Sequence, residues 1–250
     1  CFFYDYIVIC ALTVGGARVG EFNSNYTLKG DLSRIRSLND MSEQLDLFAE
    51  SEENTLDTKT VPKASSEHRV LYFDLETQKS ADDVDGWGNI HLMELAVGVV
   101  WDSLEQKFFS YLENEAPQLV GKLKTADLVV GFNVVKFDYG VLQPYADFDL
   151  QEITTFDMLV DIQKLLGHRL SLGHLAQNTL NAQKTATSGL VSLEWYKEGK
   201  IDKVVEYCKQ DVKITRDLFL YGESHGYVKY STRSGVVKDL KVDWGIANLI

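Results

Sequence analysis

Residues 70–76 read Val70-Leu71-Tyr72-Phe73-Asp74-Leu75-Glu76, and this stretch decides the fold. Val70 to Phe73 is an apolar run bounded by polar residues, which predicts a buried strand. Alternation along a strand puts Asp74 and Glu76 on the same side, so two carboxylates project together from a rigid element. Taken alone, an Asp-x-Glu at a strand end is more often solvated turn chemistry than a metal cradle. Its meaning depends on what the rest of the chain brings to it.

Upstream, Ser37 to Arg69 carries few large apolar groups and cannot repay the entropy of ordering itself, so it reads as an acidic flexible linker. Residues 1–36 carry no assignable role, and a start at Cys1 rather than Met suggests a fragment. Downstream, His91 to Trp101 and Lys107 to Leu112 follow as two more strands, and three consecutive strands suggest a meander. Ala116 to Asp127 has helical spacing at Leu119, Val120 and Leu123, and leads into a short strand from Leu128 to Phe132. A helix starting at Thr154 or Thr155 and ending at Gly167 comes next, then one capped by Ser171. Lys200 to Tyr221 has the strongest helical stripe, and Tyr227 to Tyr230 with Val236 to Trp244 reads as a β-hairpin around Ser234-Gly235. The order predicts an α/β fold with a mixed β-sheet flanked by helices, divided as 1–36, a linker 37–69, a core domain 70–226 and a C-terminal β-hairpin extension 227–250.

The 250 residues are 45% hydrophobic and 25% charged, enough to bury a sizeable core, and 12 Tyr, 12 Phe and 4 Trp against 3 Pro exclude collagen-like or wholly disordered classes. A net charge of -12 argues against holding nucleic acid by a broad basic surface, but not against meeting phosphates through bound metal. No run reaches the roughly 18 to 20 apolar residues of a membrane span, so no membrane association is expected. Cys1, Cys10 and Cys208 are odd in number and share no metal-like spacing, which favours a reducing, cytoplasmic setting.

Two further signals lie downstream. Asn133-Val134-Val135-Lys136-Phe137-Asp138 follows the strand ending at Phe132, where Gly131 permits close backbone approach and Asp138 is expected at a helix start, favoured by the dipole. Tyr207-Cys208-Lys209-Gln210-Asp211 lies inside the long helix, and a separation of four puts the Tyr hydroxyl and the Asp carboxylate on one face. Each alone has a bland reading, an Asp decorating a first turn or a half-exposed Asp beside a Tyr.

Together the three resemble the motifs of the DEDD superfamily, the DnaQ-like 3′-5′ exonucleases with an RNase H-like fold. Its first motif is Asp-x-Glu on the first strand, its second Asn-x-x-x-(Phe/Tyr)-Asp, and its third, in the Tyr-type branch, Tyr-x-x-x-Asp. The His-type branch would need His where Glu206 stands. The resemblance covers about Val70 to Gly222 and includes ribonuclease D and polymerase proofreading domains among its relatives. His168 to Leu172 and Glu194-Trp195-Tyr196 also resemble RNase H-like domains attached to some bacterial helicases. Phe156-Asp157-Met158-Leu159 looks like the family's further Asp, with helix capping an equal reading for Asp157. Gln78 stands where many relatives have Gly, and Lys79 to Asn89 is a long polar insert.

The resemblance implies a 3′-5′ exonuclease acting on single-stranded or frayed nucleic acid with a free 3′ end, DNA favoured. Asp74, Glu76, Asp138 and Asp211 would be metal ligands and Tyr207 would orient the attacking water, since an unperturbed Tyr pKa is about 10. Four converging carboxylates repel one another, and hard oxygen ligands select Mg²⁺ or Mn²⁺, two ions about 4 Å apart in such mechanisms. Thr77, Asn133 and Phe137 are the expected contacts to the terminal nucleotide; Lys136, Lys164, Arg169, Lys184 and Lys197 are near enough in sequence to meet phosphates. Gln44-Leu45-Asp46-Leu47-Phe48 resembles the peptide by which bacterial polymerases and repair proteins bind the sliding clamp, with an amphipathic turn as the equal alternative. The rival functions are a structure-selective RNase H-like endonuclease and a non-catalytic nucleic-acid-binding module of a larger helicase or polymerase.

Overall fold

The computed structural model describes residues 68–182 and 190–250. Five strands form one mixed sheet in the order β3-β2-β1-β4-β5: β1 Val70–Thr77, β2 Leu95–Asp102, β3 Lys107–Leu112, β4 Leu128–Gly131 and β5 Thr155–Asp157. β1, β2 and β3 are the expected antiparallel meander, while β4 and β5 run parallel to β1. The fold is the α/β mixed sheet flanked by helices that the order of elements predicts.

Alternation along β1 sorts its side chains into two layers. Leu71, Phe73 and Leu75 pack with Leu119 and Leu123 of the helix Ala116–Leu123 on one face. Val70 and Tyr72 face the other layer, where Val204, Cys208, Val212 and Phe219 of the long helix Ile201–His225 cover the sheet. Asp74 and Glu76 continue this second face, so the period of two aims both carboxylates toward the long helix.

The sheet opens where they stand. The parallel ladder pairs only Val70–Tyr72 with Leu128–Val130, whereas β2 accompanies β1 onward to Thr77 with a register break after Glu76. β1 thus outruns β4, leaving a crevice at the carboxyl ends of parallel strands, the position where open α/β sheets bind ligands.

Four sequence expectations need correction. The strand expected from His91 starts at Leu95, because Trp87–Leu92 winds into a 3-10 segment that ends before Glu94 at positive φ. Thr155–Asp157 is a strand rather than a helix start; the helix is Met158–Leu166, capped by the Asp157 carboxylate, which accepts from the Leu159 and Val160 amides. Asp138 does stand at the N-cap of the short helix Tyr139–Leu142, but a π turn, Val134–Asp138, leads into it and the carboxylate makes no capping hydrogen bond, so the expected support from that helix start is not what fixes it. Arg69 is no linker residue, since its guanidinium is bound to Asp102 and Glu105.

The C-terminal strands β6 Tyr227–Ser231 and β7 Val237–Lys241 form the expected hairpin. Beyond it Trp244 is buried, stacked on Phe219 with ring centroids 6.0 Å apart, and its indole N–H donates to Asp161 at 2.8 Å. Gly222 makes this packing possible, because a Cβ there would collide with the Trp244 ring. The hairpin therefore contributes to the same core as the sheet.

Candidate active site

Three elements converge on the crevice. β1 supplies Asp74 and Glu76, the turn after β4 supplies Asp138, and the long helix supplies Tyr207 and Asp211. One carboxylate oxygen from each of Asp74, Glu76 and Asp211 lies within 4.8 Å of the others, a grouping fit for one metal ion. Asp138 stands beside this trio and is fixed differently, its Oδ1 accepting the Leu75 amide at 3.1 Å. All four carboxylates and Tyr207 line one cleft of about 490 Å³.

Electrostatics show why the cluster wants a cation. Burial, then the charges of Asp138, Asp211 and Glu76, push the Asp74 carboxyl well above the usual range. Burial likewise pushes Glu76 up to about 8, with the Asp211 charge adding to the rise and the Ser192 hydrogen bond opposing it. Asp138 is raised by burial and by the charges of Asp157 and Glu76, against the amides that favour its ionised form. Like charges at low dielectric favour a shared proton or a bound cation. Carboxylate oxygens are hard donors, which suits a divalent ion such as Mg²⁺ or Mn²⁺. The Tyr207 hydroxyl also titrates above its ordinary value, through burial and the charges of Asp211, Glu76 and Asp74.

Supporting contacts were not legible in the sequence. The Ser192 hydroxyl, buried on the helix Leu190–Lys197, donates to Glu76 Oε2 at 2.5 Å. No motif marks Ser192, because it comes to Glu76 from 116 residues away. The Cys208 thiol donates to the Asp74 carbonyl at 3.3 Å, a contact hidden by its place in the apolar stripe. Asp157 accepts the Asn133 and Val135 amides at 2.8 and 3.1 Å besides capping its helix, and so holds the turn that presents Asp138. Both readings of Asp157, capping and shaping the site, are met by one carboxylate.

The expected substrate residues are placed unequally. Thr77 and Phe137 line the cleft, and Thr77 Oγ1 donates to the Lys79 carbonyl at 2.9 Å. Asn133 has φ 70°, a left-handed conformation that Asn tolerates, and its Oδ1 accepts from Arg169 at 3.0 Å, so its side chain secures the turn. Gln78, where relatives have Gly, donates to the Leu95 carbonyl and to Glu113, locking the end of β1 to the start of β2. Among the cations, Arg169 is engaged with Asn133 and Lys197 lies 3.5 Å from Asp83. Lys184 and the Gln44, Leu45, Leu47 and Phe48 peptide lie outside the described residues.

Residues 53–221 match the family of 3′-5′ exonucleases, within the DEDD, RNase H-like superfamily. The chain belongs to that family. The match takes in β1, the turn after β4 and nearly all of the long helix, so every element that carries a carboxylate of the cleft lies inside it. No curated protein matches the chain. Among solved structures, this exonuclease-family chain is similar to the family B DNA polymerase from the hyperthermophilic archaeon Pyrobaculum calidifontis, at 16% identity and a TM-score of 0.47, over 63% of this chain. The similarity spans 24% of the polymerase chain, about a quarter of its length. No helix among the described residues is long and apolar enough to cross a membrane.

Proposed function

We propose that the protein is a divalent-metal-dependent 3′-5′ exonuclease that removes nucleotides from the 3′ end of single-stranded or frayed nucleic acid, DNA by preference. The observation that carries this reading is the convergence of Asp74, Glu76 and Asp211 within 4.8 Å, with Asp138 and Tyr207 in the same cleft. Asp74, Glu76 and Asp211 would hold one ion, and Asp138 with Asp74 a second. Bound there, divalent cations would neutralise the phosphate and acidify water. The chain's own residues do the rest. Ser192 fixes the Glu76 carboxylate, the Leu75 amide fixes Asp138, and the Tyr207 hydroxyl accepts and aligns the attacking water. A phenol with an ordinary pKa of about 10 is protonated at neutral pH, so Tyr207 orients the water rather than acting as a free base. Attack of that water on phosphorus breaks the bond to the 3′ oxygen of the preceding nucleotide, the water's proton passing to solvent and the departing 3′ oxygen taking one up, and releases a nucleoside 5′-monophosphate.

The DNA preference is supported by the likeness of Gln44–Phe48 to a sliding-clamp peptide, which would tether the nuclease during replication or repair, with the cytoplasm as its setting. Replacing Leu47 and Phe48 by Ala should then abolish clamp binding and leave cleavage of short oligonucleotides intact. The reaction is tested with a 5′-labelled linear strand, as DNA and as RNA, beside a covalently closed circle of the same sequence. A ladder shortened from the 3′ end with an intact circle supports the proposal, and a cut circle supports an endonuclease instead.

A further inference from the structure

Residues 229–241 carry Lys229, Arg233, Lys238 and Lys241 against Asp239 alone, a basic stretch in a chain whose net charge is -12. They form the hairpin β6–β7, which lies beyond the residues 53–221 that match the exonuclease family. Arg233, Lys238 and Lys241 are exposed, and among the described residues none of the four cations is in an ion pair, whereas Arg69, Lys79, Lys122 and Arg216 each hold a carboxylate. The ribbon itself is fixed. The Lys229 amide donates to Thr179 Oγ1 at 2.9 Å, that hydroxyl donates to the Lys229 carbonyl at 3.1 Å, and the Ser231 amide donates to His174 Nε2 at 3.1 Å. At the tip the Thr232 amide meets the Val236 carbonyl and the Gly235 amide the Thr232 carbonyl, each at 2.9 Å, with Gly235 at φ 80°. From Lys229 to Ser231 these partners step back along the helix Leu172–Leu180, from Thr179 to His174, so β6 runs toward the start of that helix. Arg169, two residues before the cap Ser171, binds Asn133 at the head of the turn that presents Asp138. The hairpin tip therefore points to the end of the domain that holds the cleft.

We propose that β6–β7 is a second nucleic-acid contact, a basic ribbon that grips the phosphates of the duplex DNA adjoining the frayed 3′ end. This inference rests on the exonuclease reading for the nature of the partner, but its residues lie outside the cleft. The rest of this acidic chain repels a polyanion, so the hairpin is where one can dock. Lys and Arg side chains that neutralise phosphates release counterions, and binding of this kind is indifferent to sequence. Shape then selects the form of nucleic acid. A B-form major groove admits a two-stranded β-ribbon, whereas the deep, narrow major groove of A-form RNA does not. A single strand is held instead by aromatic platforms, and the tyrosines of the hairpin are engaged elsewhere. Tyr230 packs on the core, and Tyr227 lies edge-on to Tyr221 with the two hydroxyls hydrogen-bonded. By register Lys229 and Lys241 share the outward face, Val228 and Leu240 face the core, and Arg233 sits in the tip. Gripping the duplex there leaves its frayed end free to reach the carboxylates.

The test is an anisotropy titration of the full chain, in EDTA to prevent turnover, on a fluorescent DNA duplex of about 20 base pairs with a short 3′ overhang, between about 50 and 200 mM salt. Combining Arg233→Ala, Lys238→Ala and Lys241→Ala weakens binding by about 10- to 100-fold at the lower salt and flattens the slope of log Kd against log salt by about 2 to 3. The same triple variant unfolds as the wild type does and cleaves a 5′-labelled strand of about four nucleotides, which has no duplex to grip, at the wild-type kcat/KM. Lys238→Arg with Lys241→Arg keeps the wild-type Kd, which separates charge from packing. An unchanged Kd and slope in the triple variant overturn the proposal, as does a wild type that binds an unpaired strand of equal length as tightly as the duplex, or one that binds no duplex at tens of micromolar. Asp74→Ala run alongside separates the two ideas. If it still cleaves at the wild-type rate, the exonuclease reading falls; if it is inert while the triple variant binds duplex as the wild type does, only the ribbon falls.

Discussion

Replacing Glu76 by Gln should make the metal-free protein more stable while destroying its activity. Burial pushes the Glu76 carboxyl up to about 8, from 4.5 when unperturbed. A carboxyl whose pKa is higher folded than unfolded contributes stability that is complete below about 4.5 and is lost as pH rises through about 8. At pH 7 the unfolded chain ionises Glu76 freely and the folded chain resists it, a difference on the order of 3 kcal/mol. Glu76→Gln keeps the shape and an oxygen to accept the Ser192 hydroxyl, but cannot ionise. Without metal at pH 7 the variant should therefore melt roughly 6 to 12 °C higher, and at pH 4 it should gain almost nothing. Saturating Mg²⁺ should raise the wild type and leave the variant little changed, because the missing charge is the one a cation neutralises. The assay is thermal or denaturant unfolding in EDTA at both pH values, repeated with Mg²⁺. A variant less stable than wild type at pH 7 in EDTA, or one that gains as much at pH 4, would refute the reasoning.

Other perturbations have equally definite outcomes. Tyr207→Phe keeps the edge-on packing against Trp195 but removes the hydroxyl, so single-turnover cleavage should fall about 10- to 1000-fold with unfolding unchanged. Gly222→Ala forces a methyl against the buried Trp244 ring and should cost about 1 to 3 kcal/mol in denaturant unfolding. Burial would raise the Asp102 carboxyl, but hydrogen bonds from Lys122 and Arg69 outweigh it and hold it down at about 2. Its contribution is present above about 3.8 and lost as pH falls through about 2, so acid unfolding of the wild type should show a loss on the order of 2 kcal/mol that is absent from Asp102→Asn.

What the sequence revealed and what it hid follow from range. β1 and the long helix were legible because their own periodicity encodes burial, and the two carboxylates of β1 and the Tyr207–Asp211 pair were placed by period alone. β5 was not, because a three-residue strand exists only through its pairing with β4, and Asp157 gives the same local signal whether it ends a strand or caps a helix. Asp138 was found in the right turn with the wrong support: the amide that holds it belongs to Leu75, 63 residues away. Ser192 carried no signal at all, because it acts through a tertiary contact.

The most direct test of the central claim compares wild type and Asp74→Ala, prepared side by side, on a 5′-labelled single strand in single turnover with Mg²⁺ and with EDTA. The account predicts a ladder shortened from the 3′ end for the wild type only when Mg²⁺ is present. It predicts a loss of several orders of magnitude for Asp74→Ala, with its unfolding transition intact. Wild-type cleavage that persists in EDTA, or an Asp74→Ala protein that cuts at close to the wild-type rate, would contradict it.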